Sequence, residues 1–197
     1  MRPGRGGGFS TSYPATTIDS STIVGNEANS GGGIVQTGIG TTMTITNSTI
    51  SENRARVNGG GVMALFGNID LKHTTITLNR ADNDSNGTGN GGGVFIGPVA
   101  SNMSLDHTIV AGNLRGVSTR SDVFGSLTSR FSLVGDNTGS NLLAAPVGSP
   151  DINGNMVGSG ASPINAMLVP GSARDNGGPT RTHELFPGSP AIRRGEE

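Results

Sequence analysis

Four nine-residue blocks recur along this chain in one register: IDSSTIVGN (18–26), ITNSTISEN (45–53), LKHTTITLN (71–79) and LDHTIVAGN (105–113). Glycine triplets stand ahead of them at Gly6 to Gly8, Gly31 to Gly33, Gly59 to Gly61 and Gly91 to Gly93. Repetition at this period is the signature of a solenoid, in which each unit buries its apolar face only by stacking on its neighbours. The closing asparagines of the blocks lie 27, 26 and 34 residues apart, so the third interval carries an insertion of about eight. That insertion falls in Asp82 to Asn90, between Ala81 and the triplet at Gly91.

A period of this length suits a leucine-rich repeat or a parallel β-helix, and composition separates the two. The leucine ladder of the former is missing. Thr, Ile and Val dominate the blocks, helix formers are scarce, and Gly and Asn interrupt every run, which favours short strands and tight turns. The expected coil has three short strands and three turns. Stacking at ~4.8 Å would place like residues over like. Ile18, Ile45, Leu71 and Leu105 then form one apolar ladder, and Ile23, Ile50, Ile76 and Val110 a second. Asn26, Asn53, Asn79 and Asn113 form an asparagine ladder whose amides join successive coils and accept the left-handed turn conformation. The fold class is therefore all-β, a parallel β-helix over residues 1–135. An irregular Gly/Pro-rich region over 136–197 packs on or caps the helix within the same domain.

Aromatics make up 4% of the chain, Trp is absent and there are 34 glycines, so the core must be aliphatic and thin. A net charge of −1 with scattered arginines leaves no electrostatic stripe for nucleic acid or anionic lipid. The absence of Cys excludes disulfides, thiolate metal ligands and a Cys nucleophile, and leaves the redox compartment open. No stretch approaches the ~18 apolar residues that cross a bilayer, and the start lacks the apolar core of a signal peptide. With a glycine triplet already at Gly6, the reading is of a fragment whose export signal and further coils lie upstream.

The GGGI and GGGV quartets ending at Ile34, Val62 and Val94, alternating with Ile-x-x-Asn or Val-x-x-Asn, resemble the repeats of polymorphic outer membrane proteins. That family usually has Phe where this chain has Ile23, Ile50, Ile76 and Val110. The tail DNGGPTRTHELFPGSPAI (175–192) closely resembles the C-terminal signature of choice-of-anchor Q β-helix proteins, and LVGDNTG (133–139) with VGSPDINGN (147–155) is similar to the segment before it. The resemblance implies a right-handed β-helix on exported bacterial surface proteins with a variable anchor, and no established activity. Arg193 and Arg194 depart from the acidic or small residues usual after the signature.

Candidate chemistry is sparse. Asp82, Asp84 and Asn86 with Gly87 match the first half of a calcium loop, where alternating oxygen ligands wrap a hard cation. The twelfth position is Gly93 instead of a bidentate Glu, and a plain solvated loop explains the same residues; calcium is the one cofactor the sequence suggests. His73 and His107 occupy one ladder position, with rings expected within ~5 Å, where paired imidazoles could bind metal or exchange protons. The equivalent residues Ser20 and Asn47 carry no such chemistry. His183 sits in the tail signature, where packing on or capping the final coil suits it. Asp70, Lys72, Asp106, Asp122 and Arg115 would make an acid–base face of the kind carbohydrate-active enzymes use only if their turns project together. Asp70 and Asp106 are out of register, no carboxylate ladder forms, and no Gly-x-Ser-x-Gly elbow is present.

These observations favour a structural or adhesive segment of a bacterial surface protein. The alternatives are a carbohydrate-active β-helix, with Asp70, Lys72, His73, Asp106 and His107 as its candidate residues, and a non-catalytic polysaccharide-binding module. Sugar sites usually offer exposed aromatics, and here only Tyr13 and a few Phe are available. The expected partners are a polysaccharide or another surface component, with self-association through exposed end coils.

Overall fold

The structure is a computed structural model that describes residues 6–99 and 101–192. The chain winds into a parallel β-solenoid of about 5 turns, and the described residues contain no helix. Arg193 and Arg194 lie outside the described residues.

Each of the first four coils contributes to four ladders, one more than the three strands expected. Sheet I joins Phe9–Thr11, Ile34–Gln36, Val62–Ala64, Val94–Ile96 and Val123–Phe124. Sheet II joins Ala15–Asp19, Thr42–Thr46, Gly67–Lys72, Ser101–Asp106 and Thr128–Arg130. Sheet III joins Thr22–Val24, Thr49–Ser51, Thr75–Thr77, Ile109–Val110, Leu133–Val134 and Met156–Val157. Sheet IV joins two-residue strands, Glu27–Ala28, Arg54–Ala55, Arg80–Ala81 and Leu114–Arg115. These last strands are too short to leave an alternating pattern, which is why the sequence hides them. The pairing within the ladders is parallel except at Thr119–Arg120, which folds back antiparallel on Leu114–Arg115 and ends sheet IV.

Both apolar ladders form as expected, Ile18 on Ile45 on Leu71 on Leu105 and Ile23 on Ile50 on Ile76 on Val110. The second continues through Val134 to Val157. With Met43, Val62, Ile69 and Val94 they fill an aliphatic core. Each such side chain stabilises the fold by roughly 1.5–3 kcal/mol. Leu142 and Ala145 pack against the last coil, and Ala145 bridges Val157 antiparallel.

Corners are made by single left-handed residues in columns. Between sheets II and III these are Ser20, Asn47, His73, His107 and Phe131, with φ of 46, 49, 48, 47 and 47°. Between sheets III and IV they are Gly25, Glu52, Leu78 and Gly112. The ladder asparagines follow these residues directly and do not themselves take the left-handed conformation, contrary to expectation. Their work is bonding: Asn53 Oδ1 accepts from both N and Nδ2 of Asn26, and Asn79 and Asn113 repeat the pattern upward. In the triplets, Gly31, Gly59 and Gly91 have positive φ, whereas a Cβ on Gly60 would lie 2.4 Å from the Gly92 carbonyl oxygen. The coils therefore close up only where side chains are absent.

The insertion lies where the spacing puts it, with Gly59 donating to the Asn90 carbonyl as the triplets resume stacking. The tail crosses the outer face of sheet III back toward the first coils. Ile164, Ala166 and Leu168 pack on Ile109, Ala111, Leu133 and Met156. A hairpin bridged at Leu168–Leu185 and Arg174–Thr182 then extends to the early coils. There the Thr22 hydroxyl donates to the Arg181 carbonyl, Ser172 donates to Glu52 at 2.9 Å, and Ser51 Oγ lies 2.8 Å from His183 Nε2. His183 thus docks on the second coil and does not cap the last one.

Candidate functional site

Strand alternation in sheet II turns Met43, Ile45, Ile69, Leu71, Met103 and Leu105 inward and every second residue outward. The outward columns read Thr17, Thr44, Asp70, Ser104, Thr128 and Asp19, Thr46, Lys72, Asp106, Arg130. Over the last three strands this face forms a groove of about 630 Å³, walled by Asn141, Asp151, Asn153 and Asn155. An adjoining hollow of about 490 Å³ shares Asp70, Ser104, Thr128 and Asn141 with it and adds Asn68 and Asn102. No aromatic side chain lines either part.

The charges of the groove are mostly engaged. Asp106, 8% exposed, accepts from Arg130 at 2.5 Å through Oδ2 and lies 2.7 Å from His107 Nδ1 through Oδ1. Burial opposes its charge, but the bonds from Arg130 and His107 outweigh burial and hold its carboxyl below the usual range. The same bond raises Arg130. Asp151 accepts from the backbone of Asn153 and Asn155 and from the Asn155 amide, which fixes the wall. Asp70 Oδ1 accepts from Ser104 at 2.6 Å. Among the described residues Lys72 forms no ion pair. What remains toward solvent is one carboxylate oxygen, one ammonium, and many short hydroxyls and amides.

The structure therefore gathers Asp70, Lys72 and Asp106 on one face, confirms that Asp70 opposes Ser104 and not Asp106, and separates them from the other two candidates. Arg115 lies on sheet IV and donates to Asn90 at 2.8 Å. Asp122 is buried at the opposite corner, where its Oδ1 accepts from N and Nδ2 of Asn113 and so ends the asparagine ladder. Burial pushes its carboxyl up to about 7, the bonds from Asn113 oppose this, and the nearby Asp136 carboxylate adds to it. An Asp offers no amide to donate onward, so the ladder stops where sheet IV reverses.

His73 and His107 stack at the corner beside the groove with ring centroids 5.1 Å apart, and Phe131 extends the stack by another 5.1 Å. Their register is as expected. In the insertion, both Asp82 oxygens accept from Gly87 N, Asn86 donates to Asp84, and Asn86 Oδ1 accepts from Thr88. Arg56 lies 3.7 Å from Asp84. These oxygens hold the loop together, and among the described residues no three His, Cys, Asp or Glu side chains gather as a metal site.

The groove residues Arg130, Asn141, Asp151, Asn153 and Asn155 were missed from the sequence, because they lie where the repeat has faded. Only register with Lys72 and Asp106 could have found Arg130. The fold defines the class as a β-solenoid. No protein-family model matches the chain, and no curated protein or solved structure matches it.

Proposed function

We propose that this chain is a structural and adhesive β-helical segment of an exported bacterial surface protein of the choice-of-anchor Q type, and that the outer face of sheet II is its docking face. The tail signature and repeat spacing support the family and the location. The observation that carries the docking reading is the groove: polar side chains in register on consecutive coils, walled by Asn141 and Asn153, while the neighbouring face of sheet III lies under the tail. Rows of short donors and acceptors suit a polysaccharide running along the coils. Asp106 has both oxygens engaged, by His107 and Arg130, which favours a structural role for it over that of a free acid or base.

The test is incubation of the folded protein with acidic and neutral polysaccharides in the presence of calcium, following bound sugar, reducing ends and unsaturated products together. Retention without product is expected. Product from any substrate would favour the carbohydrate-active alternative and direct attention to Asp70, Lys72, His73, Asp106 and His107. Neither retention nor product would remove the docking function and leave a spacer.

A further inference from the structure

We infer that the groove on sheet II takes an uncharged glycan chain and discriminates against uronate-containing polyanions. This inference rests on the docking reading above and deepens it.

The balance of charge in the groove favours a neutral ligand. The lining brings three carboxylates, Asp70, Asp106 and Asp151, against two cations, Lys72 and Arg130. Arg130 is held by Asp106. A polyanion would therefore meet a single available ammonium, Lys72, two positions along the same strand from the Asp70 carboxylate. Each further carboxylate of such a ligand would face Asp70 or Asp151 with no cation to offset its loss of water, and unpaired charge in a groove is unfavourable. An uncharged polyol has no such penalty. Asp70 Oδ2 can accept from a hydroxyl and Lys72 can donate to one. The Asn153 amide donates and accepts, while Asn68 and Asn102, bonded to each other at 3.0 Å, and Asn141, bonded both ways to the Leu127 backbone, each keep a second amide hydrogen and a second oxygen lone pair for a ligand. The shape agrees, because the two hollows are contiguous through Asp70, Ser104 and Thr128 and form an elongated trough. With no aromatic platform in the lining, binding depends on hydrogen bonds, so a chain long enough to fill the trough along the strands is held better than a single sugar.

Lys72 is the only lysine in the sequence, which gives the experiment a reporter inside the groove. Reductive ¹³C-methylation of the folded chain places one dimethyl-lysine signal there, resolved from the terminal amine. Titration with cellohexaose, N-acetylchitohexaose and hexagalacturonate at matched ionic strength follows that signal. At least one neutral hexasaccharide is expected to shift it with an affinity about tenfold or more above that of hexagalacturonate. In Asp70→Asn, which circular dichroism should show to be folded, the preference for the neutral chain should shrink. If hexagalacturonate shifts the signal at the lower concentration, the ligand class is wrong while the docking face stands. If no hexasaccharide moves the Lys72 signal of a folded protein, or binding is detected without moving it, the docking face itself is wrong.

Discussion

Sheets II and III are built from the same coils and meet at a one-residue corner, yet the tail from Ile164 on covers one, while the other is only walled at its last strands by Asn141 to Asn155. The outward columns of sheet III are Thr22, Thr49, Thr75, Ile109, Leu133, Met156 and Val24, Ser51, Thr77, with Ala111 following in the second. These are small or apolar, so covering them removes apolar surface from water and leaves few groups unsatisfied. Ser51 and Thr77, 0% and 3% exposed, find bonding partners or apolar cover under the tail. The outward columns of sheet II carry Asp70, Lys72, Asp106 and Arg130, and covering those would strip water from charges. One solenoid thus uses one face for stability and keeps the other for contact.

The substitution that should break both faces at once is Asn79→Ala. Asn79 Nδ2 donates to Ile50, Thr77 and Asn113, and its Oδ1 accepts twice from Asn53. Removing it leaves several buried groups unsatisfied, and a loss of about 3 kcal/mol or more is expected from urea unfolding. A change confined to the covered face, Ala166→Asp, places a carboxylate among Ala111, Leu133 and Met156. Roughly 3 kcal/mol should be lost, with early proteolytic cleavage in the tail and sheet II binding retained. Cleavage no faster than in the parent would mean the tail is not held by this cluster.

Asp122 sharpens the comparison through pH, because it lies beneath the Ile164 and Leu168 side of the molecule. Its folded pKa, about 7, is above the ordinary 3.8, so its protonated form favours the fold. That contribution is full below pH 3.8 and is lost as pH rises toward 7. Asp122→Asn should flatten this part of the stability profile, most visibly midway between 3.8 and about 7. His183, held below its usual pKa by burial, acts in the opposite sense, losing stability as pH falls below the ordinary value of 6.5. Comparing variant with parent therefore isolates the carboxyl. An unchanged slope between pH 4 and 7 would show that Asp122 does not titrate there.

The smallest effect belongs to the bare face. Asp70→Asn keeps the shape and the Ser104 contact, so stability should stay within about 0.5 kcal/mol of the parent by thermal unfolding. A larger loss would mean the groove residues are structural and that the two faces differ less than their lining suggests.

Much of this was legible in residue order. The block repeat gave the coil, the register of Leu71 on Leu105, the asparagine ladder and the insertion at Asp82 to Asn90. A second polar column was present in the same blocks: Ser21, Ser48, Thr74 and Thr108 occupy one block position, Ser132 continues it beyond the last block, and they bond between coils, as when Thr108 N donates to Ser132 Oγ at 3.1 Å. The end of the asparagine ladder at Asp122 was hidden because the chain reverses at Thr119–Arg120, so the residue closing the ladder stands 9 positions after Asn113 instead of a full coil away.

The sequence by itself determined the period of the coil, its two apolar ladders and its asparagine ladder, because each rests on a period that neighbouring coils share, and stacking like on like needs only local information. The tertiary structure alone decided which face is covered and where the groove closes. Those depend on contacts such as Thr22 with Arg181 and Ser51 with His183, 159 and 132 residues apart, and on the wall from Asn141 to Asn155. No period relates such residues, and only the folded chain brings them together.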